Sequence, residues 1–346
     1  MRLNVCEVQV SKRMDRPVTM SDVAERAGVS RASVSRVFLG QNKVSDTTRK
    51  RVLKVAADLG YVPNVMASSL ASKEHNTIGL LLRDASNPAY GLLFTELQRS
   101  AQEQAMNLIS MTISIDRSNE GQLNSLRHLL GMQVAGLVVA TGSVPSEQLI
   151  PFHQKVPIIR AGRPEISAKI HAVSYDEEDA GRQLAAFVVG NGHRRIAVIR
   201  TAKETSFPEW IRAEAMITEL AHRGITAHII DVVEGNGHDQ LRSKLFDNRI
   251  TAVMCPSDVR QLDVIRFCQA LNLEVPEDVS VTGCDGILPG IDLMGLTSYR
   301  IPVEQVAQHA ITELKNLLAT EKPKAQPIIT HRIAGELIPG RTVTRI

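Results

Sequence analysis

Gly28 stands between two short apolar stripes, each preceded by a helix-capping residue, and that arrangement leaves the first sixty residues little choice of fold. Thr19 and Asp22 have the spacing of a capping box, so Thr19 can bond the free amides of a first turn. Met20, Val23, Ala24 and Ala27 then share one helical face. A glycine ends a helix in the left-handed conformation at little cost. Ser30, two residues on, can cap a second helix with Val34, Val37 and Phe38 facing inward. Ser45, the series Val52, Val55, Ala56 and Leu59, and Gly60 past its end predict a third helix. Three such stripes can close one small core, giving helix, tight turn, helix and a third helix against them.

The second helix keeps one face free of core residues, carrying Arg31, Ala32, Ser33, Ser35 and Arg36. These side chains suit a DNA major groove. Arginine can give two donors to a guanine edge, small hydroxyls reach phosphate or base, and an alanine methyl can meet a thymine methyl. An ordinary solvated face is the alternative, since short helix-turn-helix patterns arise by chance. Charge distribution favours DNA. Residues 1–75 hold 13 Lys/Arg against 7 Asp/Glu, net +6, and the rest of the chain is net −3. The basic charge therefore sits where phosphate neutralisation requires it.

After Pro63, residues 64–71 have Asn64 as a cap and only about two turns of length, below the ~12–15 residues at which an isolated helix becomes marginally stable in water. Met66 and Leu70 lie four apart on one face with nothing local to cover them. A linker packed on the next domain is one reading. A hinge that orders in a minor groove, with Leu70 as a wedge between base steps, is the other.

The run from Val18 to Val37, with Val44-Ser45, Thr48-Arg49, Leu59-Gly60-Tyr61 and Pro63-Asn64, strongly resembles the LacI/GalR family of bacterial transcription regulators. The resemblance extends from about residue 16 to the C-terminus. It implies a homodimer reading a pseudo-palindromic operator in double-stranded DNA, expected to be a repressor under control of a small-molecule effector. Arg31, Ala32 and Arg36 would be base readers and Leu70 the wedge, with Thr19, Ser30, Ser33, Ser35, Asn64 and Ala67 completing the expected DNA contacts.

From Thr77 onward, β-like runs alternate with helical stretches. Runs 78–82, 108–113 and 134–139 enclose helices 91–104 and 120–130, and the rhythm recurs between 196 and 283. Two parallel-sheet lobes of ~120–150 residues each follow from domain size. The expected fold is an N-terminal all-α helix-turn-helix domain plus hinge helix, then a C-terminal α/β two-lobed domain that the resemblance identifies as periplasmic-binding-protein-like. The expected divisions are an N-terminal arm over 1–16, expected to be disordered, a DNA-binding domain over 17–62, a hinge and linker over 63–75, and an effector-binding and dimerisation domain over 76–346.

Ligands of such folds bind beyond the carboxyl ends of strands, and several polar residues fall there. Asn87, Arg163, Ser257 and Asp285 follow predicted strands, and Arg212 lies early in a helix. The resemblance implies that these positions line an effector pocket, with a strand-end cap or salt bridge as the alternative for each. Tyr90 and Trp210 are candidates for stacking on a ligand ring, and packed core is the alternative for Tyr90. Departures from the family pattern bear on the ligand. The usual Asp-Arg pair is Gly162-Arg163, the usual Asn-Asp pair is Ser257-Asp258, and Arg300 occupies a position often held by glutamine. More arginine and fewer neutral partners make an anionic or phosphorylated effector a rival to a plain sugar or nucleoside.

Other functions find little footing. The sequence has no phosphate-binding loop, no H-E-x-x-H and no G-x-S-x-G, so no catalytic residues are indicated. Four cysteines without a C-x-x-C pair and ten scattered histidines indicate neither disulfides nor a metal, and no cofactor is expected. No apolar run is long enough for a membrane span and the N-terminus lacks a secretory core, so the cytoplasm is the expected compartment. No leucine-heptad tail follows Arg341, which favours a dimer over a tethered tetramer. Regulation by a partner protein, and a solute-binding protein or sugar enzyme, remain the alternatives.

Overall fold

A computed structural model describes residues 16–40, 43–63, 76–113, 119–142, 144–232, 237–247, 249–320 and 327–346. The chain divides into two compact units, residues 1–75 and 76–346.

In the first unit, α1 (Met20–Ala27), α2 (Arg31–Phe38) and α3 (Asp46–Leu59) pack around Val23, Ala24, Ala27, Val34, Val37, Val52 and Ala56. Local chemistry sets each boundary. Thr19 and Asp22 form the reciprocal capping box that starts α1. Gly28 then adopts φ 64°, and the Val29 amide closes the turn on the Ala24 carbonyl at 3.0 Å. Ser30 and Ser45 cap α2 and α3 by accepting from the amides of Ser33 and Thr48. Tyr61, just past α3, lies 5.5 Å from the Phe38 ring and covers the core's edge. The asparagine, alanine and leucine assigned to a hinge, Asn64, Ala67 and Leu70, lie outside the described residues.

The second unit has two six-stranded sheets. The first lobe is built by β1 (Thr77–Leu82), α4 (Pro88–Glu103), β2 (Asn107–Thr112), α5 (Asn119–Gly131), β3 (Gly136–Ala140), α6 (Ser146–His153), β4 (Ile158–Ala161) and β5 (His171–Tyr175). The second is built by α7 (Glu177–Gly190), β6 (Ile196–Thr201), α8 (Phe207–His222), β7 (His228–Val232), α9 (His238–Asp247), β8 (Ala252–Met254), α10 (Asp258–Ala270), β9 (Ser280–Asp285), α11 (Ile291–Met294) and β10 (Thr297–Arg300). The chain then returns to the first lobe through α12 (Val303–Ala319) and β11 (Thr330–Ile333), and ends in the second with β12 (Glu336–Ile338).

Strand order is β11-β5-β4-β3-β1-β2 in the first sheet and β12-β10-β9-β8-β6-β7 in the second. Every pairing is parallel except β10 with β12. Parallel strands need cover on both faces, and β1 shows how the sequence provides it. Ile78, Leu80 and Leu82 enter a core shared with α4, α7, α8 and α12, while Leu81 enters a separate core with α5 and α6. The expected two lobes are present, but the chain passes between them three times, at residues 175–177, 300–303 and 333–336. Domain size predicts two lobes without addressing these passages, and α12 is the longest segment that returns. Its Val306, Ala310, Ile311, Leu314 and Leu317 have their apolar partners on the first lobe's sheet, more than a hundred residues upstream.

Candidate nucleic-acid face and effector cleft

On the first unit, α2 presents Arg31, Ala32 and Arg36 as exposed side chains, with Ser33 and Ser35 half-buried beside them. The opposite face, Val34 and Val37, is buried. Two other expected contacts, Thr19 and Ser30, have structural duties. Thr19 Oγ1 donates to Asp22 Oδ2 at 2.7 Å, and Ser30 Oγ accepts from the Ser33 amide at 3.1 Å and lies 2.9 Å from Ser33 Oγ. Arg16, which the sequence placed in the arm, makes two bonds of 2.8 and 2.6 Å to Asp22. That guanidinium, with the amide of Thr19, holds the Asp22 carboxyl far below the usual carboxylate range. The capping box is thereby kept ionised, which favours it at a helix N-terminus.

On the second unit, a cavity with about 520 Å³ of empty space, mouth included, opens between the lobes at the carboxyl ends of their strands. The first lobe contributes Asn87, Tyr90, Thr141, Arg163 and Tyr175; the second contributes Ser206, Glu209, Arg212 and Asp285. Of the six effector residues expected from sequence, five reach this cavity. Ser257 does not. It is buried at the start of α10, and what this corner supplies is the neighbouring Pro256 carbonyl, which accepts from Arg212 Nη1 at 2.8 Å. Arg300 is also absent from the lining, being held by Glu304 at 2.7 Å. Trp210 lies outside it, stacked on Phe207 with centroids 6.1 Å apart and with Lys203 over its ring at 4.9 Å.

Arg212 is the hub of the second-lobe wall. Its guanidinium pairs with Glu177 through Nε and through Nη2 at 3.3 Å, and with Asp285 Oδ1 through Nη1 at 2.8 Å. Glu177 comes from the first passage between lobes and Asp285 from the end of β9, so one side chain ties partners 35 residues before it and 73 after it. With five N–H groups available, Arg212 has most of them satisfied by protein. Asp285 adopts φ 117°, a strained conformation for a residue with a side chain. Burial pushes the Asp285 and Asp258 carboxyls up, with Arg212 opposing. Asp258 sits directly behind, accepting from Ser298 Oγ at 2.5 Å and from the Gly286 amide at 2.7 Å.

The first-lobe wall is built differently. Arg163 Nη1 donates to the Val144 carbonyl at 2.7 Å, and its guanidinium lies 4.6 Å from the Phe207 ring centroid. Beneath it, fully buried Arg160 bonds Glu165 at 2.7 Å and the same Val144 carbonyl at 2.6 Å. Burial and the neighbouring Arg163 charge lower Arg160 to about 10. Tyr90 is anchored by Arg83 and the Gly142 backbone, and Asn87 caps α4 by accepting from the Ala89 amide at 3.0 Å. Among the described residues, Arg163 Nε and the Tyr175 hydroxyl are buried with no hydrogen-bond partner.

Sequence reading missed Thr141, Tyr175, Ser206 and Glu209. Thr141 directly follows β3, a position the strand-end rule could have flagged. Tyr175 ends β5, a strand whose His171 and Ser174 break the apolar run. Glu209 lies in the first turn of α8, where an acidic residue reads as ordinary helix chemistry.

Comparison with known proteins agrees with both halves. Residues 19–64 match the family described as bacterial regulatory proteins, lacI family, and residues 185–343 match the periplasmic binding protein-like domain. Catabolite control protein A of Priestia megaterium is 30% identical over 327 residues, covering 91% of this chain and 97% of that protein. The transcriptional repressor CytR of Escherichia coli K12 is 27% identical over 286 residues, covering 80% and 82%. Among solved structures, the lac repressor dimer bound to operator and the anti-inducer ONPF superposes with a TM-score of 0.80 at 23% identity, covering 95% of this chain and all of that one. The transcriptional regulator CelR in complex with cellobiose gives 0.68 at 24% identity, covering 94% and all of it.

Proposed function

The chain belongs to the LacI family of bacterial regulatory proteins, and from that premise we propose that it represses transcription as a homodimer on a pseudo-palindromic operator, under control of a small molecule held between its lobes. The observation that carries the DNA half is the capped helix α2, with Arg31, Ala32 and Arg36 exposed on one side and Val34 and Val37 buried on the other. Phosphate attraction comes from the net +6 of residues 1–75. Base choice falls to Arg36 and Arg31, whose guanidinium forks suit guanine edges.

The effector half is supported by the cavity and by its two unpartnered buried groups, Arg163 Nε and the Tyr175 hydroxyl. The solved relatives bind small molecules in their own right: ONPF for the lac repressor dimer and cellobiose for CelR. A ligand can alter operator affinity only by preferring one lobe arrangement over another. Residues 63–75, joining the two units, form the link through which that preference would act. The named relatives are regulators rather than enzymes.

The test is operator selection from fragmented genomic DNA followed by anisotropy titration. Arg36→Ala should weaken the selected site by ~1–3 kcal/mol and relax its preference at one base position in each half-site. Unchanged ranking among operator variants would remove Arg36 from the reading surface. Failure to select any site would remove the repressor reading.

A further inference from the structure

The cleft walls carry opposite charge, and that polarity narrows the ligand. In the first lobe, the guanidinia of Arg160, Arg163 and of Arg83 on Tyr90 stand against two carboxylates, buried Glu165 and exposed Glu147. Gly162, next to Arg163, brings no side chain of its own, and a Cβ there would stand 3.1 Å from the Tyr175 ring. Of these first-lobe groups the cations outnumber the carboxylates. Arg163 Nε can only donate, and among the described residues neither it nor the Tyr175 hydroxyl, both buried, has a hydrogen-bond partner. An oxygen-bearing anion supplies what both lack.

The second-lobe wall reverses the sign. Glu177, Asp285 and Asp258 crowd around the one guanidinium of Arg212. Asp285 gives Oδ1 to Arg212, and Glu209 gives Oε2 to Thr201 and Arg260, at 2.6 and 3.2 Å. Each keeps a second oxygen that suits a ligand hydroxyl. A second negative charge on the ligand would be repelled in this low-dielectric wall, which disfavours a phosphate dianion. A ligand ammonium is disfavoured as well, because the Arg212 guanidinium already stands between the carboxylates.

We propose that the effector is a small hydroxylated carboxylate of the sugar-acid class, its carboxylate taken by Arg163 and Tyr175 and its hydroxyls by Asp285 and Glu209. This rests on the cleft being the effector site. The ligand lies across the cavity with its charge in the first lobe.

The test uses the full chain and calorimetry with a panel of hexonates and hexuronates, each beside its neutral aldose and hexose 6-phosphate, with L-threonine as an amino-acid comparison. One or more of the acids should bind, with the neutral parent at least ~10-fold weaker. Arg163→Gln should weaken the acid about 10- to 100-fold, the usual worth of a charged hydrogen bond, and narrow the gap to the neutral parent. Arg163→Lys should keep most of the gap, and Tyr175→Phe should cost less than Arg163→Gln; these two variants carry the test if Arg163→Gln fails to fold. Equal or tighter binding of an aldose, a phosphate or threonine overturns the proposal and leaves the cleft as the effector site. No binding by any compound, in protein that still selects operator DNA, overturns the cleft reading as well.

Discussion

The two lobes share a sheet design yet stabilise their buried charges in different ways. In the first, Arg160, Ser146, Glu165 and Val144 come from 22 consecutive residues, and Glu165 accepts from Arg160, from the Ser146 hydroxyl and from the Ser167 amide. In the second, Arg212 draws its partners from positions 177, 256 and 285, and a second carboxylate, Asp258, lies behind. The first arrangement is locally closed. The second is a long-range knot within its own lobe, with more carboxylates than cations. A wall pinned by its own loop stays intact on its own, whereas a wall whose Glu177 comes from a passage between lobes depends on where that passage sits.

Removing each arginine is the strongest way to break this contrast. Arg212→Met would leave Glu177 and Asp285 buried with no cation, and loss of one partner from a buried pair costs about 3–5 kcal/mol. Arg160→Met would leave Glu165 its hydroxyl and amide donors, so a smaller loss of about 2–3 kcal/mol is expected. Urea unfolding of both variants measures the difference. Equal losses would mean that the local donors contribute nothing to holding Glu165.

A smaller effect separates the lobes by packing. Gly181 in α7 lies so close to α8 that a Cβ would meet the Arg212 carbonyl oxygen at 2.5 Å, Ala215 Cβ at 2.6 Å and the Met216 amide at 2.9 Å. In the first lobe, a Cβ at Gly136 would meet a Leu314 methyl at 2.8 Å and the Pro157 carbonyl at 3.3 Å, and a leucine end can turn aside. Gly181→Ala should therefore cost ~1–3 kcal/mol by forcing helices apart, and Gly136→Ala under about 1 kcal/mol. Gly181→Ala should also displace Arg212 and weaken any cleft ligand. A stable Gly181→Ala variant with unaltered ligand affinity would show that the helices separate freely.

Sequence legibility follows the same division. The first unit was readable because its determinants lie within four residues of their targets: Thr19 with Asp22, Ser30 with Ser33, Gly28 with Ala24. Asn87, Arg163 and Asp285 were readable because strand ends point at clefts. Arg212 was visible as a cleft residue, but its saturation by Glu177 and Asp285 was not, since partners 35 and 73 residues away leave no spacing signal. Ser257 was misplaced for a related reason. The loop after β8 turns its side chain inward and offers the Pro256 carbonyl instead. The return of α12 to the first lobe was hidden because an amphipathic helix does not say which sheet it will cover.

Titration gives the weakest separation, because His171 in the first lobe and the pair Asp258 and Asp285 in the second should respond to pH with opposite sign. His193 of the second lobe, lowered by burial, acts in the His171 direction. His171 in β5 is buried, with its Nδ1 accepting from the Ile329 amide at 3.1 Å; burial and His153 push it down to about 4, with Glu313 opposing. As pH falls from about 6.5 to 4 the unfolded chain binds a proton that the folded first lobe refuses, so stability is lost on acidification. In the second lobe, Asp258 and Asp285 are raised to about 6 and about 8, chiefly by burial. There the folded state holds protons that the unfolded chain releases above about 4, so stability falls as pH rises towards 8. The two terms oppose each other below pH 6.5, and only the carboxyl term remains above it. Melting temperature should decline gently from pH 6.5 to 8, by the equivalent of about 1 kcal/mol, within the 1.4 kcal/mol per pH unit that one proton allows. Asp285→Asn should flatten that limb, and His171→Asn, which can still accept from Ile329, should relieve the loss near pH 5. A flat profile above pH 6.5 in the parent protein would show that Arg212 keeps Asp285 ionised, and would return the second-lobe wall to a fully charged state.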